Sequence, residues 1–453
     1  MRCLVGVLLL AAGCVRVGFD VAASDASLLA DVPPTDLRLD GPDARVEDLT
    51  KLDQPVLPPG SLDPSFGGKG VVVMPVSVSG ADQAKAVAVD SQGRIVLGGQ
   101  VESQNPGLDF YLARLAPDGT PDASFGGGLV ILDLNGSHEV LDSVAVDQAD
   151  RVVAGGQTQV GGDLAVGLAR LLPTGVLDPA FAGDGKLALQ ASSGEDALRG
   201  LALDAVGRIV FSGSDPGRLL LGRVSPGGVP DGSFGTGGVI RAFEAGSSGW
   251  DLAVAPDGSL VATGRSYQGT GSKVDVAVVR VAATGQPDPG FGLNGEVLVD
   301  VGGGDDHAEG IALDATGRVV VAGRSIDGAT GEIFVLRLLG DGKLDPGFGS
   351  GGIVLRAVGS DARAFDVLVD AKGRIVVVGE TQQPGGVDLV ILRLLPDGKP
   401  DTALGPEGRV VLDLDGRDDH TRGVVLDGQG RLLVAGWLDD TAAADSFVAR
   451  LLM

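Results

Sequence analysis

One short motif recurs seven times along most of this chain. Its first copy reads L-D-P-S-F-G at 62–67, and its last, degraded copy reads P-D-T-A-L-G at 400–405. The Asp of the motif is separated from the next by 53 to 59 residues, at Asp63, Asp122, Asp178, Asp231, Asp288, Asp345 and Asp401. A repeat of this length is typical of propellers and solenoids.

Each repeat contains four candidate strands. In the fifth repeat they read E-V-L-V-D, G-I-A-L-D, R-V-V-V-A-G and I-F-V-L-R-L. Such short apolar runs, bounded by Gly, Asp or Pro, predict strands, and the D-x-x-G-R between the second and third runs predicts a β-hairpin. We therefore expect an all-β fold, a seven-bladed β-propeller of four-stranded blades over residues 61–453. A parallel β-helix is the alternative, although its coils are usually shorter. The repeat boundaries are placed near 61–119, 120–175, 176–228, 229–285, 286–342, 343–398 and 399–453.

The full pattern can be compared with a known family. The corner L-D-P-x-F-G, the hairpin D-x-x-G-R and the closing R-L-x-P-D-G together resemble the delta-60 repeat family, a β-propeller family of unknown function. The resemblance covers all seven repeats. It implies the propeller fold and supplies no catalytic residue.

The N-terminus reads M-R-C-L-V-G-V-L-L-L-A-A-G-C, one Arg followed by an apolar run and small residues. Such a segment is typical of an export signal and is too short to span a membrane as a helix. Its A-A-G-C ending resembles a bacterial lipobox, which implies a signal peptide at 1–13 and lipidation of Cys14. The alternative is an ordinary secretory signal. Residues 14–60 are rich in Asp and Pro and predict an acidic, disordered tether. We expect an exported protein that is lipid-anchored at the outer membrane or cell surface.

The formal net charge of −25 restricts the class of partner. Nucleic-acid phosphates require Lys and Arg, so an acidic protein of this kind is not expected to bind nucleic acid. We expect a monomer that binds a protein or glycan of the cell envelope.

Two Arg–Asp pairs recur at fixed spacing. The last strand of each repeat carries an Arg eight residues before the Asp of the next motif, as in Arg114 and Asp122. Arg450 in the last repeat has no Asp after it, and Asp63 has no repeat Arg before it. We therefore expect these two to pair when the N-terminal outer strand completes the C-terminal blade. The second pair flanks the hairpin, and in the fourth repeat Ala255 and Ser259 replace both partners together, which indicates mutual contact.

The Phe of the motif is predicted to pack between blades, with Leu404 replacing it in the last copy. One position of the innermost strand is the least regular in the repeat, and its residues are expected to surround the channel mouth. They are Lys85, Asp142, Arg199, Trp250, Glu309, Phe365 and Arg422.

The loops opposite the hairpins vary in length and sequence, and variable loops on a rigid scaffold usually determine specificity. All three histidines are placed in these loops, two of them in D-D-H sequences, so Asp306, His307, Asp419 and His420 are candidate ligand-binding residues. Carboxylates there could hold Ca²⁺, and solvated acidic loops are the alternative. Trp250, Tyr267 and Trp437 are predicted aromatic anchors on the same face, with a core role for Trp250 as the alternative.

Catalytic motifs are scarce in this sequence. There is no Cys after Cys14, no H-E-x-x-H and no dinucleotide fingerprint before a helix. We therefore predict a non-enzymatic lipoprotein that binds a protein or glycan through its variable face and needs no cofactor. The alternative is a metal-dependent hydrolase or lyase with carboxylates at the channel mouth.

Overall fold

The structure is a computed structural model that describes residues 57–77, 80–102, 107–135, 138–243, 246–267, 273–328, 330–439 and 444–453. The predicted signal peptide, Cys14 and the tether up to residue 56 lie outside the described residues. Two three-residue 3-10 helices, Gly126–Gly128 and Pro406–Gly408, occur in the described part. No described helix has the length and apolar character that a membrane span requires.

Seven antiparallel four-stranded sheets form the blades of a propeller. The first strand, β1 (Val71–Met74), belongs to the last blade. The strands of each blade are given from the channel outwards. Blade 1 contains β2 (Asp82–Val89), β3 (Ile95–Glu102), β4 (Leu108–Leu115) and β5 (Leu129–Leu132), and blade 2 contains β6 (Val140–Val146), β7 (Val152–Val160), β8 (Asp163–Leu171) and β9 (Lys186–Leu189). Blade 3 contains β10 (Ala197–Leu203), β11 (Ile209–Asp215), β12 (Arg218–Val224) and β13 (Val239–Ala242).

Blades 4 to 7 repeat the same order. Blade 4 contains β14 (Ser247–Val254), β15 (Leu260–Tyr267), β16 (Val274–Val281) and β17 (Glu296–Val299), and blade 5 contains β18 (Asp305–Leu313), β19 (Val319–Asp327), β20 (Thr330–Leu338) and β21 (Ile353–Arg356). Blade 6 contains β22 (Ala362–Val369), β23 (Ile375–Gln383), β24 (Gly386–Leu394) and β25 (Arg409–Leu412). Blade 7 contains β26 (Asp418–Leu426), β27 (Leu432–Asp439) and β28 (Ala444–Leu451), with β1 as its outermost strand.

The ring is closed by β1, the strand nearest the N-terminus among those described. It pairs antiparallel with β28, in a register that places Val71 opposite Ala449 and Met74 opposite Ser446. A further bridge joins Leu62 to Leu451. Both ends of the propeller therefore lie in blade 7, and the sheet that would otherwise end at β28 has its outer edge covered.

The six motif Phe side chains lie between blades, and each is fully buried. Phe125, for example, packs against Val96 and Leu112 of blade 1 and Leu141 of blade 2. In the last copy Leu404 takes this place at 3 % exposure, within the core between blades 6 and 7. One large apolar side chain per junction thus supplies the seam between neighbouring blades.

Each strand Arg is bound to a motif Asp, which lies eight residues later in six pairs and at the other end of the propeller in the Arg450–Asp63 pair. The Nε to Oδ2 distances are 2.7 to 3.2 Å, in the pairs Arg114–Asp122, Arg170–Asp178, Arg223–Asp231, Arg280–Asp288, Arg337–Asp345, Arg393–Asp401 and Arg450–Asp63. Five of these guanidinium groups also lie over the motif Phe, as Arg337 does at 4.6 Å from the Phe348 ring centre. Arg337 further donates to the Pro396 carbonyl of the next repeat at 2.5 Å. The buried Arg therefore connects two repeats.

Where the hairpin pair is present, its Arg contacts the motif Asp as well as the hairpin Asp. In six hairpins the Arg Nε lies 2.5 to 2.7 Å from the hairpin Asp, and its Nη1 lies 3.2 to 3.7 Å from the motif Asp. Blade 4 lacks this pair, and Asp257 instead lies 3.6 Å from Arg280. The side chains of Arg280 and Asp288 are 17 % and 27 % exposed, more than their equivalents in the other blades. Loss of the hairpin pair thus accompanies a looser motif pair.

Candidate functional site

Every innermost strand contains a β-bulge at the same place. In β2 the register with β3 shifts between Ala84 and Ala86, so Lys85 has no partner opposite it. The equivalent residues of the other blades are Asp142, Arg199, Trp250, Glu309, Phe365 and Arg422. These are the residues expected at the channel mouth. A bulge redirects the side chain of its extra residue, which explains why this position is free to vary while its neighbours are not.

A glycine in the second strand makes each bulge sterically feasible. A Cβ on Gly323 in β19 would lie 2.0 Å from the His307 carbonyl oxygen, and a Cβ on Gly99 in β3 would lie 2.0 Å from that of Gln83. The equivalent glycine occurs in all seven blades, within 1.8 to 2.0 Å of the inner strand's carbonyl. The glycine at this position of each second strand therefore permits the bulge, whatever residue precedes it.

The seven bulge residues all line one central cavity of about 380 Å³. Four cations face it, namely Lys85, Arg199, Arg363 and Arg422. A volume of this size lies in the lower part of the range for sites that bind small molecules. The propeller therefore presents a charged, ligand-sized cavity on its axis.

The cations share the cavity with four carboxylates, those of Asp142, Asp251, Glu309 and Asp366. Asp142 is bound by both Lys85, at 3.7 Å, and Arg199, at 3.3 Å. Burial lowers the pKa of Lys85, and the charges of Arg199 and Arg422 lower it further, against the opposing effect of Asp142. Burial also lowers the pKa of Arg422 to about 10, with a contribution from Arg363. An anion entering the cavity would relieve this repulsion.

Aromatic rings stand between the cations. The ring of Phe365 lies 4.1 Å from Arg363 and 3.7 Å from Arg422. The half-buried ring of Trp250 lies 5.1 Å from Arg199 and 5.8 Å from Arg265. Stacking of this kind holds the guanidinium groups in place while their N–H groups stay available for a ligand.

A second layer of polar groups comes from blades 4 to 7. His307 Nδ1 lies 3.0 Å from Arg265, and His420 Nδ1 lies 3.0 Å from Glu380. The His420 ring stacks on Trp437 with 5.0 Å between ring centres. Both histidines belong to inner strands, β18 and β26, so the prediction that they lie in loops is wrong, because each strand begins at the first Asp of its D-D-H sequence. His138 does lie in a loop.

The three predicted aromatic anchors have different environments. Trp250 is in β14 and lines the cavity. Trp437 is in β27 and only 6 % exposed, so the expectation that it stands in a variable loop is wrong. Its neighbours His420 and Arg422 cover it. Tyr267, at the end of β15, is 50 % exposed and does not belong to the cavity lining.

Two carboxylates at the cavity were missed by the sequence reasoning. Asp251 and Asp366 each follow a bulge residue directly. Burial raises the pKa of Asp251 to about 6; burial and the charge of Asp251 raise the pKa of Asp366 to about 8. The signal was present, because the equivalent residues of the other five blades are small: Ala86, Ser143, Gly200, Gly310 and Gly423.

Asp306 and Asp419 of the D-D-H sequences do not line the cavity. Both are fully buried at blade junctions, where Asp306 accepts a hydrogen bond from the Val301 N–H and Asp419 from the Leu414 N–H. Each belongs to a group of three Asp residues. The D-D-H sequences therefore contribute a histidine to the axial site and an aspartate to a separate place between blades.

Five segments of the chain match a family model described as "Domain of unknown function (DUF5122) beta-propeller", namely residues 91–125, 148–181, 255–291, 315–348 and 373–403. The predicted resemblance to a β-propeller repeat family of unknown function is thereby confirmed. No curated protein matches the chain.

Several solved structures are similar to this chain at low identity. A streptogramin B lyase structure is 13 % identical, covering 84 % of this chain and 97 % of its own, with a TM-score of 0.49. A gluconolactonase from Xanthomonas campestris is 15 % identical, covering 83 % and 99 %, with a TM-score of 0.37. The PQQ-bound aldose sugar dehydrogenase from Streptomyces coelicolor is 15 % identical, covering 87 % and 100 %, with a TM-score of 0.42. Likeness at this level says nothing of activity.

Proposed function

Because the family model that five segments of this chain match describes a β-propeller of unknown function, we propose a function from the site alone. The protein is a non-enzymatic binding protein whose channel mouth holds an acidic glycan. One observation carries the proposal: four cations face a single cavity in which burial raises the pKa of three of the four carboxylates, Asp251, Glu309 and Asp366, inside a protein of net charge −25. The cavity therefore favours an anionic ligand that is small enough to enter it.

The chemistry of the lining favours a sugar carboxylate. Arg guanidinium groups bind planar carboxylates through paired N–H donors, and Arg199 and Arg422 are available from opposite sides of the cavity. Trp250 offers an apolar ring face beside Arg199. A sugar ring carrying a carboxylate can use both, with its apolar face on the indole and its carboxylate on the guanidinium group. The cavity holds one or two sugar units and is too small for a protein surface.

The charged side chains are unevenly distributed around the ring. In the second strands, Arg265, Arg324 and Glu380 come from blades 4 to 6, whereas Gln100, Gln157 and Ser214 stand at the equivalent positions of blades 1 to 3. Seven copies of one fold do not by themselves require this uneven distribution of charge. A ligand that contacts only one side of the channel would account for it.

The alternative, a metal-dependent hydrolase or lyase, relies on Asp251 and Asp366. Both carboxylates are already used by backbone N–H groups. Asp251 accepts from Leu252 at 2.8 Å and from Ile311 of the next blade at 3.0 Å. Asp366 accepts from Val367 at 2.7 Å and from Val424 of the next blade at 2.9 Å. These bonds favour a structural role that satisfies amides left free by the bulges.

The proposed address follows from the N-terminus. Lipidation of Cys14 and a tether to residue 60 would hold the propeller away from the membrane surface, at the outer membrane or cell surface. An acidic glycan of the cell envelope is then the ligand within reach. Metabolic labelling with a fatty acid, lost in Cys14→Ala, tests this address independently of ligand binding.

Calorimetric titration with oligogalacturonate and with a neutral oligoglucan of the same length tests the proposed ligand class. We expect binding of the acidic oligomer only, weakened at least tenfold by Arg422→Ala and by Trp250→Ala, since a charge-assisted hydrogen bond contributes about 1.5–3 kcal/mol. Lys399→Ala, at an exposed side chain outside the cavity, is the matched control. Equal binding of both oligomers, or unchanged affinity in both cavity variants, would contradict the proposal. Shortening of the oligomer would favour the enzymatic alternative.

A further inference from the structure

The two D-D-H sequences belong to a longer shared pattern. Residues 300–307 read D-V-G-G-G-D-D-H and residues 413–420 read D-L-D-G-R-D-D-H, so both fit D-x-x-G-x-D-D-H. Each segment connects the outer strand of one blade to the inner strand of the next. A third Asp stands nearby in the preceding blade, Asp275 in β16 and Asp388 in β24. The same constellation is therefore built twice, at the junctions of blades 4 and 5 and of blades 6 and 7.

The carboxylates of each constellation converge. One oxygen from each of Asp275, Asp300 and Asp306 lies within 4.8 Å of the others. The same holds for one oxygen from each of Asp388, Asp413 and Asp419. Two oxygens on opposite sides of one Ca²⁺ ion are separated by about 4.8 Å, twice a typical Ca–O distance. We infer that each triad binds one divalent cation of the Ca²⁺ type, so that the propeller carries two such ions between its blades.

A buried, incompletely bonded carboxylate supports each site. Asp306 and Asp419 are both 0 % exposed. The Oδ2 atom of each accepts a backbone N–H, whereas the Oδ1 atom of each has no hydrogen-bond partner among the described residues. A buried carboxylate oxygen without a donor is costly, and a cation is the partner that would offset this cost. Among the equivalent buried acids of other blades, Asp82 has both oxygens hydrogen-bonded, with Ser446 N–H on Oδ1, whereas Asp196 leaves its Oδ1 without a partner among the described residues but has no triad around it.

The other junctions show what replaces the triad. At the junction of blades 3 and 4, Phe243 follows the outer strand where the triads have Asp300 and Asp413, and Ser247 replaces the buried Asp. At the junction of blades 5 and 6, Ala357 and Ala362 make the same exchange. The exposed and the buried acid are therefore absent together at these two junctions.

The donor set and the access route identify the class of ion. Three carboxylate oxygens are hard ligands, which suit Ca²⁺ rather than a thiophilic metal. Asp300 and Asp413 are exposed, so each site opens to solvent on one side and leaves room for water ligands. Each exposed Asp also orders its own loop, because Asp300 accepts the Gly303 N–H and Asp413 the Gly416 N–H, both at 2.5 Å.

The two ions would act on the blades that form the charged side of the channel. His307 and His420 follow the buried triad residues directly and face Arg265 and Glu380 at the axial site. The inferred ions do not depend on the identity of any axial ligand.

Calcium titration of the full-length protein, after removal of divalent ions by chelator and dialysis, tests the inference. We expect two Ca²⁺ ions per chain by calorimetry, and a rise in the midpoint of thermal unfolding. Asp300→Asn and Asp413→Asn should each remove one ion, and the double variant both, together with the thermal shift. Glu332→Gln is the matched control, since Glu332 occupies the position of Asp275 at the junction that carries Ala357 and Ala362.

Each result decides for or against the two sites. Because Asp300 and Asp413 are exposed, their Asn variants should fold, and circular dichroism of the chelated proteins checks this. No Ca²⁺ binding at millimolar concentration, or a stoichiometry that the Asn variants leave unchanged, would overturn the inference. If only one of the two single variants loses an ion, the site that contains the other substituted Asp is overturned.

Discussion

Asp63 and Arg450, which are 387 residues apart in the sequence, form a buried ion pair with 2.9 Å between Oδ2 and Nε. Arg431 adds a second contact to Asp63 at 3.2 Å. This pair has the same geometry as the six pairs in which Asp follows Arg by eight residues, such as Arg337–Asp345 at 2.8 Å. The contact that ties adjacent repeats together elsewhere here ties the two ends of the propeller.

Asp63→Asn should therefore open the ring as well as weaken a blade. Removal of one partner leaves the Arg450 guanidinium group buried without its carboxylate, at a cost of about 3–5 kcal/mol in the free energy of unfolding. We expect faster hydrogen exchange for the amides of β1 than for the rest of blade 7. Mass-spectrometric hydrogen exchange measures this.

Asp345→Asn is the matched control, because it breaks an equivalent pair inside the chain. It should lower the free energy of unfolding by a similar amount. The amides of the outer strand β21 should remain protected from hydrogen exchange, because the chain joins both ends of β21 to other strands of the propeller. If β1 in Asp63→Asn exchanges no faster than β21 in Asp345→Asn, the pair does not hold the closure.

The hairpin of blade 4 can be given back its missing pair. Ala255→Asp together with Ser259→Arg should place an ion pair across the turn and a second Arg beside Asp288, as in the other blades. We expect a gain of about 0.5–1 kcal/mol in the free energy of unfolding. Ala255→Asp alone should destabilise, since Ala255 is only 8 % exposed and the new carboxylate lacks its partner. Urea unfolding distinguishes these outcomes, and a double variant no more stable than Ala255→Asp alone would count against mutual contact.

Gly323→Ala should disturb the bulge at Glu309. The new methyl group would meet the His307 carbonyl oxygen at 2.0 Å, and the next atoms that it meets are also backbone atoms of β18, which cannot rotate away as a side chain can. We expect a loss of about 3 kcal/mol, at the upper end for an overpacked site. Gly340→Ala is the control, because a Cβ there meets nothing within 4 Å. Equal stability of the two variants in thermal unfolding would show that the bulge does not require glycine.

Asp366 makes the stability of the protein depend on pH in a predictable direction. Its pKa in the folded protein is raised to about 8 by burial and by the charge of Asp251, so the folded protein holds a proton that the unfolded chain has already released. The contribution of this group to stability is therefore lost as pH rises through the folded-state pKa. One proton accounts for at most about 1.4 kcal/mol per pH unit.

We expect the free energy of unfolding of the natural protein to fall more steeply between pH 6 and pH 9 than that of Asp366→Asn, which cannot ionise there. Denaturant unfolding at several pH values measures both slopes. Parallel slopes for the two proteins would show that Asp366 does not titrate in this range.

Much of the fold is readable from the sequence because its contacts are local and repeated. The hairpin Asp90–Arg94 pair spans five residues, and the Arg114–Asp122 pair spans nine, so their fixed spacing identifies them. The Phe of each motif is similarly marked by its recurrence. Even the closure follows from the repeat, since Asp63 and Arg450 are the partners left unmatched at its two ends.

The axial site is only partly readable in this way. The irregular position that contains Lys85 and Arg422 stands out against a regular background, and it coincides with the bulge. Asp251 and Asp366 differ from the small residues at the equivalent positions of the other blades, but only the closed ring shows that they and Arg363 face the channel. Trp437 was misplaced for the same reason, since its burial depends on His420 from the neighbouring strand.

The sequence by itself determined the repeat, its strands and turns, and the ion pairs and Phe seams that recur in every blade, because each of these depends on contacts within one repeat or between adjacent repeats. The tertiary structure decided which side chains face one another on the axis and which carboxylates converge between blades. The axial groups come from repeats far apart in the chain, and only closure of the ring brings them within reach of a common ligand. The carboxylates of each triad come from adjacent repeats and converge where two blades pack together.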